Sequence, residues 1–552
     1  MNRKQRRAAE NRLPPSGKRP ATAEPTTAQE HNELGCRLLA QGRLEDAAAQ
    51  FARALTLMPE ALEQYPAVVA TLLNVNPAIR AGVGCVAAAW PRDLSMEELL
   101  GPHGIGPVAR DPMLRSILES ATVRDLDLER YLTSLRSAIL AMAVDVTSSG
   151  RAVKHHMLGL CCALAKQCFI NEYVFACKPQ ECEQVERLKG TLSAALAGGR
   201  AVSALVPLAL AAYVPLSEIA GARSLLHRAW PEPVRSVLAQ QLTEPDEEQS
   251  YRDTIPRLTS IENEVSLLVR QQYEENPYPR WVTTESDRGA VRITEYLRRQ
   301  FPAASFHNAP AGGEIDVLIA GCGTGQQAIV SARRLSGARL LAVDLSLSSL
   351  CYAKRMSRAF GLSNIEYAQA DVLELASIGR TFDVIETSGV LHHLADPFAG
   401  WRVLLSMLRP AGFMHVGLYS KVAREPIRAA RAYLAGKGAV ATASDIRRWR
   451  QELLGTPMRS VAGYADFFST SECRDLLFHV QEHSLTIPEI EAFLRRHNLH
   501  FIGFELLPST LASYARRFPA DRAMTDLACW HQFEAENPAA FVGMYQFWVQ
   551  ST

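Results

Sequence analysis

Gly321-Cys322-Gly323-Thr324-Gly325 stands between a short apolar run, Ile315–Ala320, and a helical stretch, Gln326–Leu335. Alternate glycines let the backbone pass close beneath a ligand, and a helix start offers free N–H groups. Position 326 is Gln, so the G-x-G-x-x-G spacing that fits a pyrophosphate is missing, and the tighter G-x-G-x-G suits a ligand without phosphate. Asp344 follows Gly321 by 23 residues, at the tip of a second apolar run (Arg339–Val343), with Leu345 beside it. A carboxylate there can accept both hydroxyls of a ribose. Asp371-Val372 closes a third run, Ile365–Ala370, where it can read an adenine amino group and ring edge. A fourth run, Phe382–Thr387, leads into Ser388-Gly389-Val390-Leu391-His392-His393. Imidazoles titrate near neutrality and suit proton transfer. Adjacent residues on a turn point different ways, so at most one of His392 and His393 can reach a reacting atom.

These residues need a scaffold. From Glu314 onward, apolar runs alternate with helical stretches, the pattern of a parallel sheet covered on both faces. Leu408-Arg409-Pro410-Ala411-Gly412 turns into a fifth run, Phe413–Tyr419, and Phe501–Leu506 and Met544–Val549 are candidates for a closing antiparallel pair. The order GCGTG, VDLS, ADV, FDVIETSGVLHH, LRPAGF strongly resembles class I S-adenosylmethionine-dependent methyltransferases over about 270 residues. The resemblance implies a Rossmann-like α/β domain with a seven-stranded mixed sheet, residues 256–552, and S-adenosyl-L-methionine as cofactor. It implies cofactor contacts from Gly321, Gly323, Gly325, Asp344, Leu345, Asp371, Val372 and Ser388. The turn Asn276-Pro277-Tyr278-Pro279-Arg280-Trp281 caps the cofactor in such enzymes, with Tyr278 placed to contribute. His393 and His392 stand on the loop that faces methyl group and acceptor. Residues 421–485, between the fifth strand and the helix Ile487–Arg496, are expected as an insertion forming a lid, with a separate helical domain unrelated to the active site as the alternative.

One position departs from the family. Its members carry an acid two residues before the first glycine, where it holds the methionine ammonium, and here that residue is Ile319. Asp316 is expected to end the preceding turn. Glu386, at the end of the fourth strand, is the candidate replacement, with a surface acid at a strand tip as the alternative. Neither the Asn/Asp-Pro-Pro-Tyr signature of amide and exocyclic-amine methylation nor the double-glutamate loop of arginine methylation is present. The acceptor stays open: protein, RNA or small molecule. A module that binds the cofactor as a scaffold or sensor without methyl transfer is the competing reading.

The first half reads differently. Residues 1–27 are basic and proline-bearing, expected as a disordered tail. Leu34, Gly35 and Leu38, a break at Gly42, then Ala47, Phe51 and Ala54 before Pro59 form a helical hairpin, where small residues let the helices approach. The pattern resembles a tetratricopeptide repeat, with His31 in place of the first aromatic. A degraded second copy follows at Tyr65, Leu72, Ala81, Cys85, Ala88 and Pro91. A plain helical hairpin is the alternative. Residues 28–95 are thus expected as repeats and 96–255 as a helical domain, together all-α, offering a docking surface for a protein partner. The join to a methyltransferase domain resembles bacterial proteins of that composition. Cys161, Cys162, Cys168, Cys177 and Cys182 lack paired zinc spacing and read as small buried hydrophobes, so no metal site is expected.

Bulk charge is balanced, 59 basic side chains to 58 acidic, and directs the chain to no partner class. One local excess stands out. Lys421, Arg424, Arg428, Arg431, Lys437, Arg447, Arg448, Arg450 and Arg459 face three acids, Glu425, Asp445 and Glu452, an excess that would suit an anionic acceptor such as RNA. A solvated helix face is the alternative. No apolar run has the length of a membrane span, and the N-terminus lacks a signal-peptide core. The expectation is a cytoplasmic protein with reduced thiols and no membrane partner.

Overall fold

The computed structural model describes residues 25, 27–57, 65–149, 155–284, 289–306 and 313–552; the expected basic tail and Pro59 lie outside them. The first half is helical. α1 (Ala28–Ala40) and α2 (Leu44–Leu57) form the hairpin, and α3 (Tyr65–Val75) and α4 (Pro77–Ala89) follow. A Cβ on Gly35 would stand 2.7 Å from the Phe51 ring, which is why a glycine is needed where the helices cross. His31 is buried and meets Gln50 Oε1 at 2.7 Å, a hydrogen bond between the two helices of the hairpin. Three longer helices continue the same core: α5 (Leu126–Ser149), α6 (His155–Ile170) and α7 (Pro179–Ala197). Cys161, Cys162 and Cys168 are fully packed in it, and burial pushes the Cys162 thiol up to about 12 and Cys168 to about 11. Cys177 packs against the edge of that core and Cys182 is exposed, their sulfurs 3.2 Å from each other.

Helix α8 (Glu264–Glu275) leads into the second half, a single sheet of seven strands. They are β1 (Ile315–Ala320), β2 (Ala338–Asp344), β3 (Ile365–Gln369), β4 (Phe382–Ser388), β5 (Leu408–Leu418), β6 (Leu499–Phe504) and β7 (Tyr545–Ser551). Their order is β3-β2-β1-β4-β5-β7-β6, with β7 antiparallel to both β5 and β6. Strands buried on both faces must be apolar throughout, and β1 reads Ile-Asp-Val-Leu-Ile-Ala. Its one acid, Asp316, does not end a turn as expected. It sits inside the strand, held by Arg339 at 3.0 Å and Arg409 at 2.7 Å. α9 (Gln326–Arg334) and α10 (Leu347–Ala359) cover the sheet after β1 and β2.

Between β5 and α14 (Ile487–Arg496) the chain makes an excursion containing α11 (Glu425–Gly436), α12 (Ala443–Leu454) and α13 (Thr470–Phe478). It has its own core, built on Ile427, Trp449, Leu453 and Phe467. Its two ends are pinned together by a bridge between Ser420 and Leu485, where Leu485 N–H donates to Tyr419 O at 2.8 Å. Among the described residues no single helix is long and apolar enough to cross a membrane; one pair, Val68–Val75 and Pro77–Ala89, passes on composition but is bent by 109°.

Candidate functional site

A cavity opens at the carboxyl ends of β1, β2 and β4, where open parallel sheets bind ligands. Its wall includes Gly321, Gly323, Asp344, Leu345, Asp371, Val372, Ser388, Tyr278 and His393 from the residues expected at the site. Gly325, Glu386 and His392 are not part of that wall.

The glycine loop explains itself locally. Gly321 and Gly323 have φ of +79° and +50°, and a Cβ on Gly323 would lie 2.5 Å from the Tyr278 carbonyl. The cap segment is therefore seated directly on the loop, with Thr324 N–H donating to Tyr278 O at 3.2 Å and Trp281 Nε1 to Thr324 Oγ1 at 3.1 Å. Gly325 has a different task. A Cβ there would meet Ala353 at 2.5 Å, so this glycine lets α9 and α10 pack together and does not touch the cavity.

Asp344 is held by two backbone donors, Gly323 N–H at 2.8 Å and Ser346 N–H at 2.9 Å. Burial nevertheless pushes its carboxyl up to about 6, against those bonds. Each oxygen keeps a lone pair for a ribose hydroxyl. Asp371 Oδ1 caps Leu373 N–H at 3.0 Å, while Oδ2 is buried without a hydrogen-bond partner among the described residues. A buried oxygen left unmade costs free energy, and a donor such as an adenine amino group would satisfy it. The two acids and the glycine loop thus fit S-adenosylmethionine.

The expected replacement carboxylate is not available. Both Glu386 oxygens are engaged on α9, by Ser331 Oγ at 2.8 and 2.9 Å, Gln327 Nε2 at 2.9 Å and Arg334 Nη2 at 3.1 Å. Gln327 and Gln326 line the cavity in its place. Neutral amide and hydroxyl groups, not a carboxylate, face the region near β1 and β4.

The two histidines separate as a turn requires. His392 packs behind the wall, stacked on Tyr419 at 3.8 Å, with both ring nitrogens buried and without partners among the described residues. Burial drives its pKa well below the ordinary value, so the ring is neutral. His393 reaches the cavity. Its Nδ1–H donates to Gln481 O at 2.8 Å, which leaves the Nε2 lone pair free. Burial lowers its pKa too, opposed by nearby Asp475.

Asp475 and His479, on and just after α13, had no local signal in the sequence. Tyr273 O–H donates to Asp475 Oδ1 at 2.6 Å and lies 3.2 Å from His479 Nε2. His393, Asp475 and His479 bring ligand-type atoms within 4.8 Å of one another. A cation does not suit them. Gln481 N–H donates to His479 Nδ1 at 3.1 Å, which keeps the proton on Nε2, and the His393 and His479 rings stack at 3.6 Å and 19°, so their lone pairs do not converge. The Tyr273 hydroxyl joins Asp475 to His479, and His393 is stacked on His479.

Part of the basic excess of the insertion is turned inward, while Lys421, Arg428, Lys437, Arg448 and Arg459 stay exposed. Arg424 is buried on Glu482, over the Tyr419 ring at 3.7 Å; Arg431 joins the same carboxylate at 2.7 Å. Arg428 pairs with Glu425, Arg448 with Asp445 and Arg450 with Glu129. No lysine or arginine lines the cavity among the described residues, while Asp344, Asp371 and Asp475 do. The cavity lining is therefore acidic.

Residues 317–412 match the family described as "Methyltransferase domain". Fold, site and match together make the second half a class I S-adenosylmethionine-dependent methyltransferase domain, with S-adenosyl-L-methionine its cofactor. Over 121 residues the chain is 36% identical to an uncharacterized protein of Synechococcus sp., covering 22% of this chain and 29% of that one. Over 108 residues it is 34% identical to the ubiquinone biosynthesis O-methyltransferase of Parvibaculum lavamentivorans, 20% of this chain and 42% of the relative. The chain thus spans less than half the length of these relatives. A structure of PKMT2 from Rickettsia typhi in complex with AdoHcy aligns over 46% of this chain and 52% of its own, at 18% identity and a TM-score of 0.36.

Proposed function

We propose that the protein methylates a neutral or cationic acceptor bearing an ionisable O–H or N–H group, seated between His393 and the insertion. One observation carries this reading: the free Nε2 of His393 opens into the same cavity as the adenosine-binding acids. The sulfonium methyl that the bound cofactor supplies is already activated for displacement. The chain has to hold the acceptor at about 3–3.5 Å from it and in line with the sulfur. His393 Nε2 takes the acceptor's proton as the new bond forms and the carbon–sulfur bond breaks, and Asp475 favours the resulting imidazolium. Three acids at the wall, with no lysine or arginine there among the described residues, disfavour a phosphorylated or nucleic-acid acceptor. A hydroxyl is the first acceptor type to test, since O-methylation names the relatives in ubiquinone biosynthesis. The α1–α2 hairpin serves on this reading as a docking surface for a protein partner.

The test is incubation of cell lysate with the purified protein and isotope-labelled S-adenosylmethionine, followed by mass spectrometry. Labelled product that disappears with His393→Ala supports the proposal. Tight cofactor binding with no labelled product in any fraction overturns it in favour of a sensor or scaffold.

A further inference from the structure

The turn after α6 carries two successive non-glycine residues at positive φ, Glu172 at 54° and Tyr173 at 59°. Such backbone is costly and persists where surroundings enforce it. Here the enforcing surroundings are the insertion. Four successive carbonyls of the turn accept hydrogen bonds from it: Asn171 O from Thr470 N–H at 3.2 Å and Glu172 O from Thr470 Oγ1 at 2.8 Å. Tyr173 O accepts from Arg447 Nη1 at 3.3 Å and Val174 O from Arg450 Nη1 at 3.1 Å. The Glu172 carboxylate also accepts from Ser471 N–H at 2.7 Å, a free donor in the first turn of α13. A carboxylate is stabilising at that end of a helix. One turn further along α13 stands Asp475.

The C-terminal end of α6 also touches the cap segment, where Arg280, two residues beyond Tyr278, lies over the Phe169 ring at 4.4 Å. A buried ion pair between Arg450 and Glu129, with contacts of 2.9 and 3.1 Å, ties α12 to α5 beside it.

We infer that the 171–174 turn of the helical half is a positioning device for the acceptor side of the methyltransferase cavity, with Glu172 and Thr470 as positioning residues. The helical half is then a working part of the site and more than a docking module. The inference rests on the proposed acceptor site only for its effect on transfer; the order of α13 is independent of it. Glu172→Gly deletes the carboxylate and suits the positive φ, so the turn itself is not strained by it. Glu172→Gln keeps an acceptor oxygen, and Thr470→Val removes one hydrogen bond at constant shape.

Three measurements on the full chain test this: hydrogen–deuterium exchange of residues 470–479, calorimetric affinity for S-adenosylhomocysteine, and labelled methyl incorporation into lysate. In Glu172→Gly, exchange in 470–479 should rise roughly five- to tenfold, the effect of a lost helix cap. Incorporation should fall by about tenfold with cofactor affinity within about threefold. Glu172→Gln should restore both, and Thr470→Val should fall between. Exchange or incorporation at the unmodified level in Glu172→Gly overturns the inference. If the unmodified protein binds the cofactor but transfers no methyl, the acceptor reading fails, and exchange alone then decides the positioning role.

Discussion

Replacing Asp344 by Asn should weaken cofactor binding about ten- to a hundredfold and remove its pH dependence below neutrality. The carboxylate is buried, and Gly323 N–H and Ser346 N–H occupy one lone pair on each oxygen. An asparagine can accept only one of them and must aim its own N–H₂ at the other, while losing the charge that strengthens the ribose bonds. A hydrogen bond to a charged group contributes about 1.5–3 kcal/mol, which gives that range. The group's own titration supplies a second signature. Its carboxyl sits at about 6, above the ordinary value of 3.8, because burial disfavours the charged form. The apoprotein is therefore more stable with Asp344 protonated. That contribution, about 3 kcal/mol, is fully present below about pH 4, is lost as pH rises through about 6, and is gone at neutrality. Ribose hydroxyls favour the ionised form, so binding is coupled to proton release. Between pH 7.5 and pH 5 affinity for S-adenosylhomocysteine should fall about tenfold in the unmodified protein, since about one carboxyl in ten is ionised at pH 5. Calorimetry across that range is the assay. A flat affinity profile in the unmodified protein, or an Asp344→Asn variant that binds equally well, refutes the reasoning.

Other positions separate site from scaffold. Once an acceptor is in hand, His393→Ala should lower kcat by roughly 10²–10⁴ with cofactor affinity intact; His392→Phe, which preserves the stack on Tyr419, should stay within about tenfold in kcat, and the reverse order would reassign the base. Gly325→Ala should destabilise the fold by about 1–3 kcal/mol, because a Cβ meets Ala353 and φ is +85°; an unchanged denaturant midpoint would contradict the packing role. Glu386→Gln should lower stability by weakening the pair with Arg334 while cofactor affinity changes less than about threefold; a large affinity loss would return Glu386 to the cofactor site. Binding of total RNA with a steep salt dependence would contradict the inward pairing of Arg424, Arg431 and Arg450.

The parts of the site readable in the sequence are those whose partners are near in sequence. Ile315–Ala320, the glycine loop and Asp344 form one strand–loop–helix–strand unit, and period and spacing alone place them. Residue type could not tell Gly325 from Gly321, since both need positive φ and only the structure reveals Ala353 behind one of them. Glu386 stands at a strand tip as expected, but Ser331 and Arg334 on the neighbouring helix bind it first. The choice between His392 and His393 depends on Tyr419 and Gln481, and Asp475 meets Tyr273 across 202 residues of sequence. No local pattern carries such information. The pairing of the basic stretch was unreadable for a related reason: Glu482 and Glu129, which engage Arg424, Arg431 and Arg450, lie outside the stretch itself.

The Ser420–Leu485 bridge makes the insertion a cassette. Its entrance and exit are adjacent, so its length can change with little strain on β5 or α14, and loop-closure entropy grows only slowly with length. Acceptor preference could therefore diversify while the cofactor half stays as it is. The carbonyls of residues 171–174 limit that freedom. A transplanted cassette must also match the turn that grips it, so the helical half and the insertion are expected to be exchanged as a pair between related proteins and not separately.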